Sequence, residues 1–303
     1  MELMDYYLTG YFYSPEQTIR LSEEEYQTLH SAKRNLLTAL GIEEKLEIVL
    51  ENYLEFESDL NDLALRSSMF SKPASSRFPD IHRINRRIMN VLSACKTYLD
   101  QLHHEISTIY GKESTQFNFV NSLCKREYDS HLGYRTLEAL RNYTQHRDLP
   151  VDAIQYSSSA NGEGPQRLIK TSCTVHTMLT SLAEDAEFKP TVLKELQQFG
   201  DKVDLKPMIR EYITCIWRIH SEVRGYIAGD VGQWDAHVES AIERFRKKFP
   251  QETAIAVAKV EDNNPTECVY LSNDFSKRRK ELQSKNHHIG DLRKRYITSQ
   301  CEE

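Results

Sequence analysis

Residues 81–106 read IHRINRRIMNVLSACKTYLDQLHHEI. Apolar side chains recur at Ile81, Ile84, Ile88, Val91, Cys95, Tyr98, Leu102 and Ile106. Steps of three and four residues put them on one stripe of an α-helix, because a turn takes 3.6 residues. The stripe predicts a helix of about seven turns, ended by Gly111. An apolar stripe of that length must be covered, and antiparallel neighbours in a bundle cover it well. On the N-terminal side, Leu46, Val49, Tyr53, Phe56, Leu60 and Leu63 repeat the spacing and predict another helix packed within the chain. Before it, Ser22-Glu23-Glu24-Glu25 forms a capping box ahead of Tyr26, Leu29, Leu36, Leu37 and Leu40, with Gly41 as the stop. Residues 67–79, SSMFSKPASSRFP, read as a linker.

On the C-terminal side, a helical pattern runs from Phe117 to Tyr143 and closes at Pro150. The period then changes. Residues 154–159 and 167–170 flank Asn161-Gly162-Glu163-Gly164 and predict a hairpin. Helical patterns follow at Val175–Ala183, Val192–Phe199 and Leu205–Val223, and another with Trp234, Val238, Ile242 and Phe245 follows Gly232. Residues 253–260 and 267–272 flank Glu261-Asp262-Asn263-Asn264-Pro265 and predict a second small hairpin. The expected fold is mainly α, an antiparallel helical bundle with one or two small β-hairpins. Three parts are expected: an acidic N-terminal helical region over 1–75, a bundle core over 76–230 with the hairpin inserted near 151–175, and a C-terminal helix, small hairpin and basic tail over 231–303.

The composition agrees with a folded, helix-rich protein. Among 303 residues only 11 are Gly and 9 are Pro, so helix breakers are scarce. No apolar run approaches the roughly 20 residues that cross a bilayer. The N-terminus, MELMDYYLTGYFYSP, lacks the basic start and apolar stretch of a signal peptide. The six cysteines stand singly with no CxxC pair, which points to a reducing compartment and against a zinc site or a disulfide framework. Cys95 and Cys215 fall on apolar stripes and are read as small buried hydrophobes, as Trp217 and Trp234 are read as core. The expectation is a cytoplasmic protein with no membrane span. Charge is uneven: residues 1–65 hold 14 acidic and 4 basic side chains, and 276–295 hold 8 basic and 2 acidic, against a chain total of -6. The basic stretch could guide a phosphate backbone or simply be a solvated helical end.

Phosphate loops, HExxH, GxSxG and EF-hand patterns are absent. The pairs His103-His104 and His287-His288 are adjacent and diverge by about 100° on a helix, a poor metal arrangement. One cluster carries chemistry. Residues 134–150 contain Arg141-Asn142-x-x-x-His146 near the end of an amphipathic helix. Arginine offers a permanent cation whose fork suits a phosphate. Histidine exchanges a proton near neutral pH. Asn142 and His146 share a helix face, whereas Arg141 diverges from His146 by about 140°. The bland alternative is that Arg141 caps carbonyls or pairs with Glu138, and that His146 satisfies the helix dipole.

Arg141-Asn142-x-x-x-His146 at the end of a long helix resembles the signature of HEPN domains, and the helical pairing of 81–110 with 116–146 is similar to their setting over residues 80–225. The resemblance implies an HEPN-like bundle and a metal-independent endoribonuclease of toxin or anti-phage defence type. It implies catalysis by Arg141, Asn142 and His146, with Tyr143, Gln145 and Arg147 contacting substrate, and no metal or cofactor. A ribose 2′-hydroxyl would attack the adjacent phosphodiester, so the substrate would be RNA. It also implies a homodimer with a composite site, and a regulatory or antitoxin protein as partner. The tyrosine that some members carry after the histidine is missing, since Arg147-Asp148-Leu149 stands there. A non-catalytic helical interaction module, a scaffold or neutralising partner, is the alternative.

Overall fold

The computed structural model describes residues 4–70, 77–162, 167–252, 254–262 and 264–297. The chain is mostly helical with two small antiparallel sheets. It divides into two compact units. Unit 1 holds Met1–Lys45, Glu105–Gly111 and Glu222–His287, and unit 2 holds Leu46–His104, Lys112–Ser221 and His288–Glu303.

Unit 1 opens with β1 (Met4–Gly10) and β2 (Thr18–Leu21), a hairpin where the sequence reading expects only helix. Its sheet runs β2-β1-β6-β7, with β6 (Ile255–Glu261) and β7 (Asn264–Leu271) forming the expected second hairpin. Thr253 and Asn263, part of that reading, lie outside the described residues. β1 pairs with β6 in register Leu8↔Val257, and both side chains are buried. A strand whose partner lies at the far end of the sequence has no local signal beyond its own alternation, and the MDYYLTG pattern of burial is not a clean alternation. The helix α1 (Glu23–Met69) starts at the capping box as expected. The Glu25 amide donates to Ser22 Oγ at 3.1 Å and the Ser22 amide donates to Glu25 Oε2 at 2.8 Å. Gly41 is no stop, since α1 runs through it, and a Cβ there would meet only Lys45 Nζ at 3.6 Å. α8 (Asp274–Lys285) completes the unit.

Unit 2 holds the buried seams. Leu46, Val49, Tyr53, Phe56, Leu60 and Leu63 of α1 are all buried, as are Ile84, Ile88, Val91, Cys95, Tyr98 and Leu102 of α2 (Arg77–Tyr110). Gly111 ends α2 with φ +88°, the left-handed stop that glycine permits. Residues 71–76 of the expected linker lie outside the described residues; 67–69 continue α1 and 77–79 begin α2. The single helical pattern from Phe117 to Tyr143 is two helices, α3 (Thr115–Ser130) and α4 (Leu132–His146), broken at His131, whose backbone is extended. The inserted hairpin is present as β3 (Ala153–Asn161) and β4 (Leu168–Met178), with turn residues 163–166 outside the described set. Val175–Met178 belong to β4 rather than to a helix, because Val175 pairs with Ile154 of β3 and His176–Met178 pair with β5 (Lys202–Asp204). Two short helices, α5 (Leu179–Ala183) and α6 (Pro190–Leu196), follow. α7 (Leu205–Lys248) is one helix that continues through Gly232, where the sequence reading starts a new one. Trp217 and Trp234 are half-buried rather than core.

Two anchors, one buried and one half-buried, hold the exit of α4. Asn85 Nδ2 donates to the Val151 carbonyl at 3.1 Å, and the Val151 amide returns a bond to Asn85 Oδ1 at 2.9 Å. The Tyr156 hydroxyl donates to Asp80 Oδ2 at 2.8 Å. Backbone leaving a helix must find partners for its polar groups, and α2 supplies them here.

Candidate functional site

α4 buries Tyr134, Leu137, Leu140 and Tyr143 along one stripe. That face fixes the helix rotation, so Asn142, Gln145 and His146 turn outward and are exposed. The helix stops without a glycine. Arg147 leaves helical geometry at φ -130° and ψ -79°, its amide still bonded to the Tyr143 carbonyl at 2.8 Å. Its guanidinium Nε donates to Asp185 Oδ1 at 3.0 Å, and the same oxygen accepts the Glu187 amide at 3.1 Å. The Phe188 ring meets Tyr143 edge-on at 6.2 Å. These contacts place residues 185–189 beside the end of α4.

Between them lies a cleft of about 460 Å³ whose lining includes Asn142, Tyr143, His146, Glu138, Asp185 and Lys189. Tyr128, Glu187 and Phe188 also face it. Asn142 and His146 thus reach one cleft, as their four-residue spacing requires. His146 makes no side-chain hydrogen bond or ion pair with a described residue and can meet a ligand from solvent. Burial, followed by Asp148, Asp152 and Asp185, raises the Tyr143 phenol, which therefore stays protonated at neutral pH. Lys189 places its ammonium 4.7 Å above the Tyr128 ring and also hydrogen-bonds the Tyr128 hydroxyl. Glu138 accepts the Tyr212 hydroxyl at 2.7 Å.

Arg141 does not line this cleft. Its Nη1 donates to the adjacent Asn142 Oδ1 at 3.3 Å, and Glu138 is not its partner. Gln145 is exposed but outside the lining, and Arg147 reaches it only through Asp185. Of the six residues named from the sequence, Asn142, Tyr143 and His146 come together, and Arg141, Gln145 and Arg147 do not join them. Sequence reasoning missed Asp185, Glu187, Phe188 and Lys189, which sit in a short irregular segment with no periodic signal. It also missed a second constellation, Glu127, His131 and Cys215, whose ligand atoms lie within 4.8 Å of one another. Glu127 and His131 are four residues apart, which was readable as a pair; their meeting with Cys215 of α7 depends on tertiary packing.

No protein-family model, curated protein or solved structure matches this chain.

Proposed function

We propose that the chain is a metal-independent endoribonuclease, of the toxin or defence type, whose active site forms at the end of α4 when two copies associate. One observation carries the reading: Asn142 and His146 line one cleft, and the imidazole there has no hydrogen-bond or ion-pair partner among the described residues. An imidazole open to solvent can take the proton of a ribose 2′-hydroxyl and return one to the leaving oxygen. Asn142 orients either the ring or the scissile group. The charge that builds on the phosphate needs a cation held in place. Among the cleft-lining residues Lys189 is the one cation, against Glu138, Glu187 and an Asp185 that Arg147 already pairs, so a single cleft stays net acidic and repels a polyanion. Arg141 does not line its own cleft and touches only Asn142 Oδ1 beside it; a two-fold pairing of α4 ends would carry it to the partner's His146.

The test is cleavage of total RNA by the full chain with chelator present. His146→Ala and Arg141→Ala should each lower the rate by about a hundredfold or more, and the products should carry a cyclic phosphate. Equal cleavage by all three proteins would remove both residues from the mechanism.

A second reading has its own observation. The three carboxylates of the cleft favour a basic partner over RNA, as in a non-catalytic helical module that neutralises another protein. That reading gains if the wild-type chain leaves RNA intact and a basic protein retained by it is released by Asp185→Asn with Glu187→Gln.

A further inference from the structure

Away from the α4 end, three side chains of unit 2 converge at the α3–α4 junction. We propose that Glu127, His131 and Cys215 form a binding site for a divalent cation of zinc type. Their donor set is one carboxylate, one imidazole and one thiol, which suits zinc and excludes the oxygen-only preference of magnesium and calcium. Three protein ligands is the count of a zinc site that keeps one position for water or another ligand. Glu127 Oε2 and His131 Nε2 stand 3.4 Å apart, and all three donors lie within 4.8 Å. Donors around a tetrahedral zinc are about 3.3–3.8 Å apart, so closing the triangle takes a shift of about 1 Å.

The surroundings orient the imidazole for this role. His131 Nδ1 lies 3.3 Å from Glu211 Oε1, so the ring hydrogen belongs there and the Nε2 lone pair faces Glu127 and Cys215. A carboxylate behind a ligating histidine is the usual supporting arrangement in zinc sites. Glu211 is itself held: its Oε2 accepts the Gly133 amide at 2.6 Å, and Arg293 bonds its Oε1. Gly133 makes that approach possible. A Cβ there would fall 2.7 Å from Glu211 Oε2 and 2.7 Å from the Met208 carbonyl oxygen. His131 and Glu127 are joined through one backbone bond, the His131 amide to the Glu127 carbonyl at 3.1 Å, so their spacing is rigid.

Arg218 already places positive charge at this point. Its Nη1 donates to His131 Nε2 at 2.9 Å and to Glu127 Oε2. The side chain is 35% exposed and has a route to solvent. A metal would therefore bind by displacing the guanidinium, and Arg218 sets how tightly it binds. This inference stands apart from the ribonuclease reading, because its readout is the metal and not RNA.

The experiment uses the full chain, stripped with chelator and titrated with Co²⁺. The wild type should develop a near-ultraviolet thiolate-to-cobalt band that saturates at one equivalent and disappears when Zn²⁺ is added. Arg218→Ala should bind Co²⁺ about tenfold more tightly, since the charged hydrogen bonds to His131 Nε2 and Glu127 Oε2 are gone and Arg126 holds the other carboxylate oxygen, Glu127 Oε1. Cys215→Ser should lose the band with its far-ultraviolet circular dichroism unchanged. If Cys215→Ser does not fold, His131→Gln is read instead, with Co²⁺ affinity falling about tenfold or more. The absence of a band in both wild type and Arg218→Ala overturns the site. So does a band that survives Cys215→Ser, or an unchanged affinity in His131→Gln.

Discussion

Asp59 is 5% exposed and accepts hydrogen bonds from two arginines of α2: Arg87 Nε at 2.7 Å, and Arg83. Burial alone would raise its pKa, but the bonds from Arg83 and Arg87 outweigh that and hold the carboxyl below the usual range. The unfolded carboxyl titrates near 3.9, so the stabilisation is complete above that value and is lost as pH falls through the lower folded pKa. Asp59→Asn should therefore cost about 2 kcal/mol at pH 6, and the gap to wild type should narrow below about pH 4. Urea unfolding midpoints between pH 6 and pH 2 measure both; a gap that stays constant to the lowest pH would detach Asp59 from the acid limb. At this scale the sequence was partly legible. That Asn142 and His146 line one cleft while Arg141 does not agrees with 3.6 residues per turn. The pairing of Asp59 with α2 has no such signal, because an acidic residue on a helix reads as solvated until the neighbouring helix is placed. Gly133 was equally silent: its reason is a carboxylate that arrives from α7.

Helix α7 shows how a local rule can mislead for an element. Gly225, Gly229 and Gly232 all lie within its 44 residues, and a Cβ at each meets nothing within 4 Å. The reading that stopped one helix at Val223 and began another after Gly232 gave glycine the weight of a terminator. A helix interior tolerates each glycine for about 1 kcal/mol, and the flanking apolar residues Val223, Ile227, Val231 and Val238 are buried enough to carry the helix across. The expected consequence is a gain. Gly225→Ala, Gly229→Ala and Gly232→Ala should each stabilise the protein by about 0.5–1 kcal/mol, seen as stepwise increases in Tm. No gain from the triple variant would mean that this stretch does not stay helical in solution. The long seams were legible because periodicity over many turns needs no partner to be recognised. So were the hairpins β3–β4 and β6–β7, each joined through a glycine- or asparagine-rich turn. The hairpin β1–β2 was not, since β1 shows no clean alternation and β2 has only four residues, and β5, with three residues, is too short to show a period. The break at His131 was hidden because the apolar spacing continues on both sides of it.

For the whole molecule, charge is the constraint that any RNA reading must meet. The chain carries a net charge of -6, and the basic C-terminal stretch is partly spent inside it: Arg279 is buried against Asp235, and Arg293 bonds Glu211 and Asp291. On the proposed reading a monomer would offer RNA little attraction, and the motif would gain its second cation from another copy. That dependence has a signature that a self-contained site cannot produce. If Arg141 of one copy serves His146 of the other, then Arg141→Ala and His146→Ala, each inactive alone, should complement when mixed and allowed to re-associate. Random pairing makes half of the particles mixed, and a two-fold particle of that kind keeps one intact arrangement of two, so activity should return to about a quarter of wild type. The double variant Arg141→Ala/His146→Ala mixed with wild type controls for simple dilution. A site complete within one copy would stay inactive on mixing the single variants, however long they exchange, and the composite arrangement would have to be given up while single-variant losses could still stand.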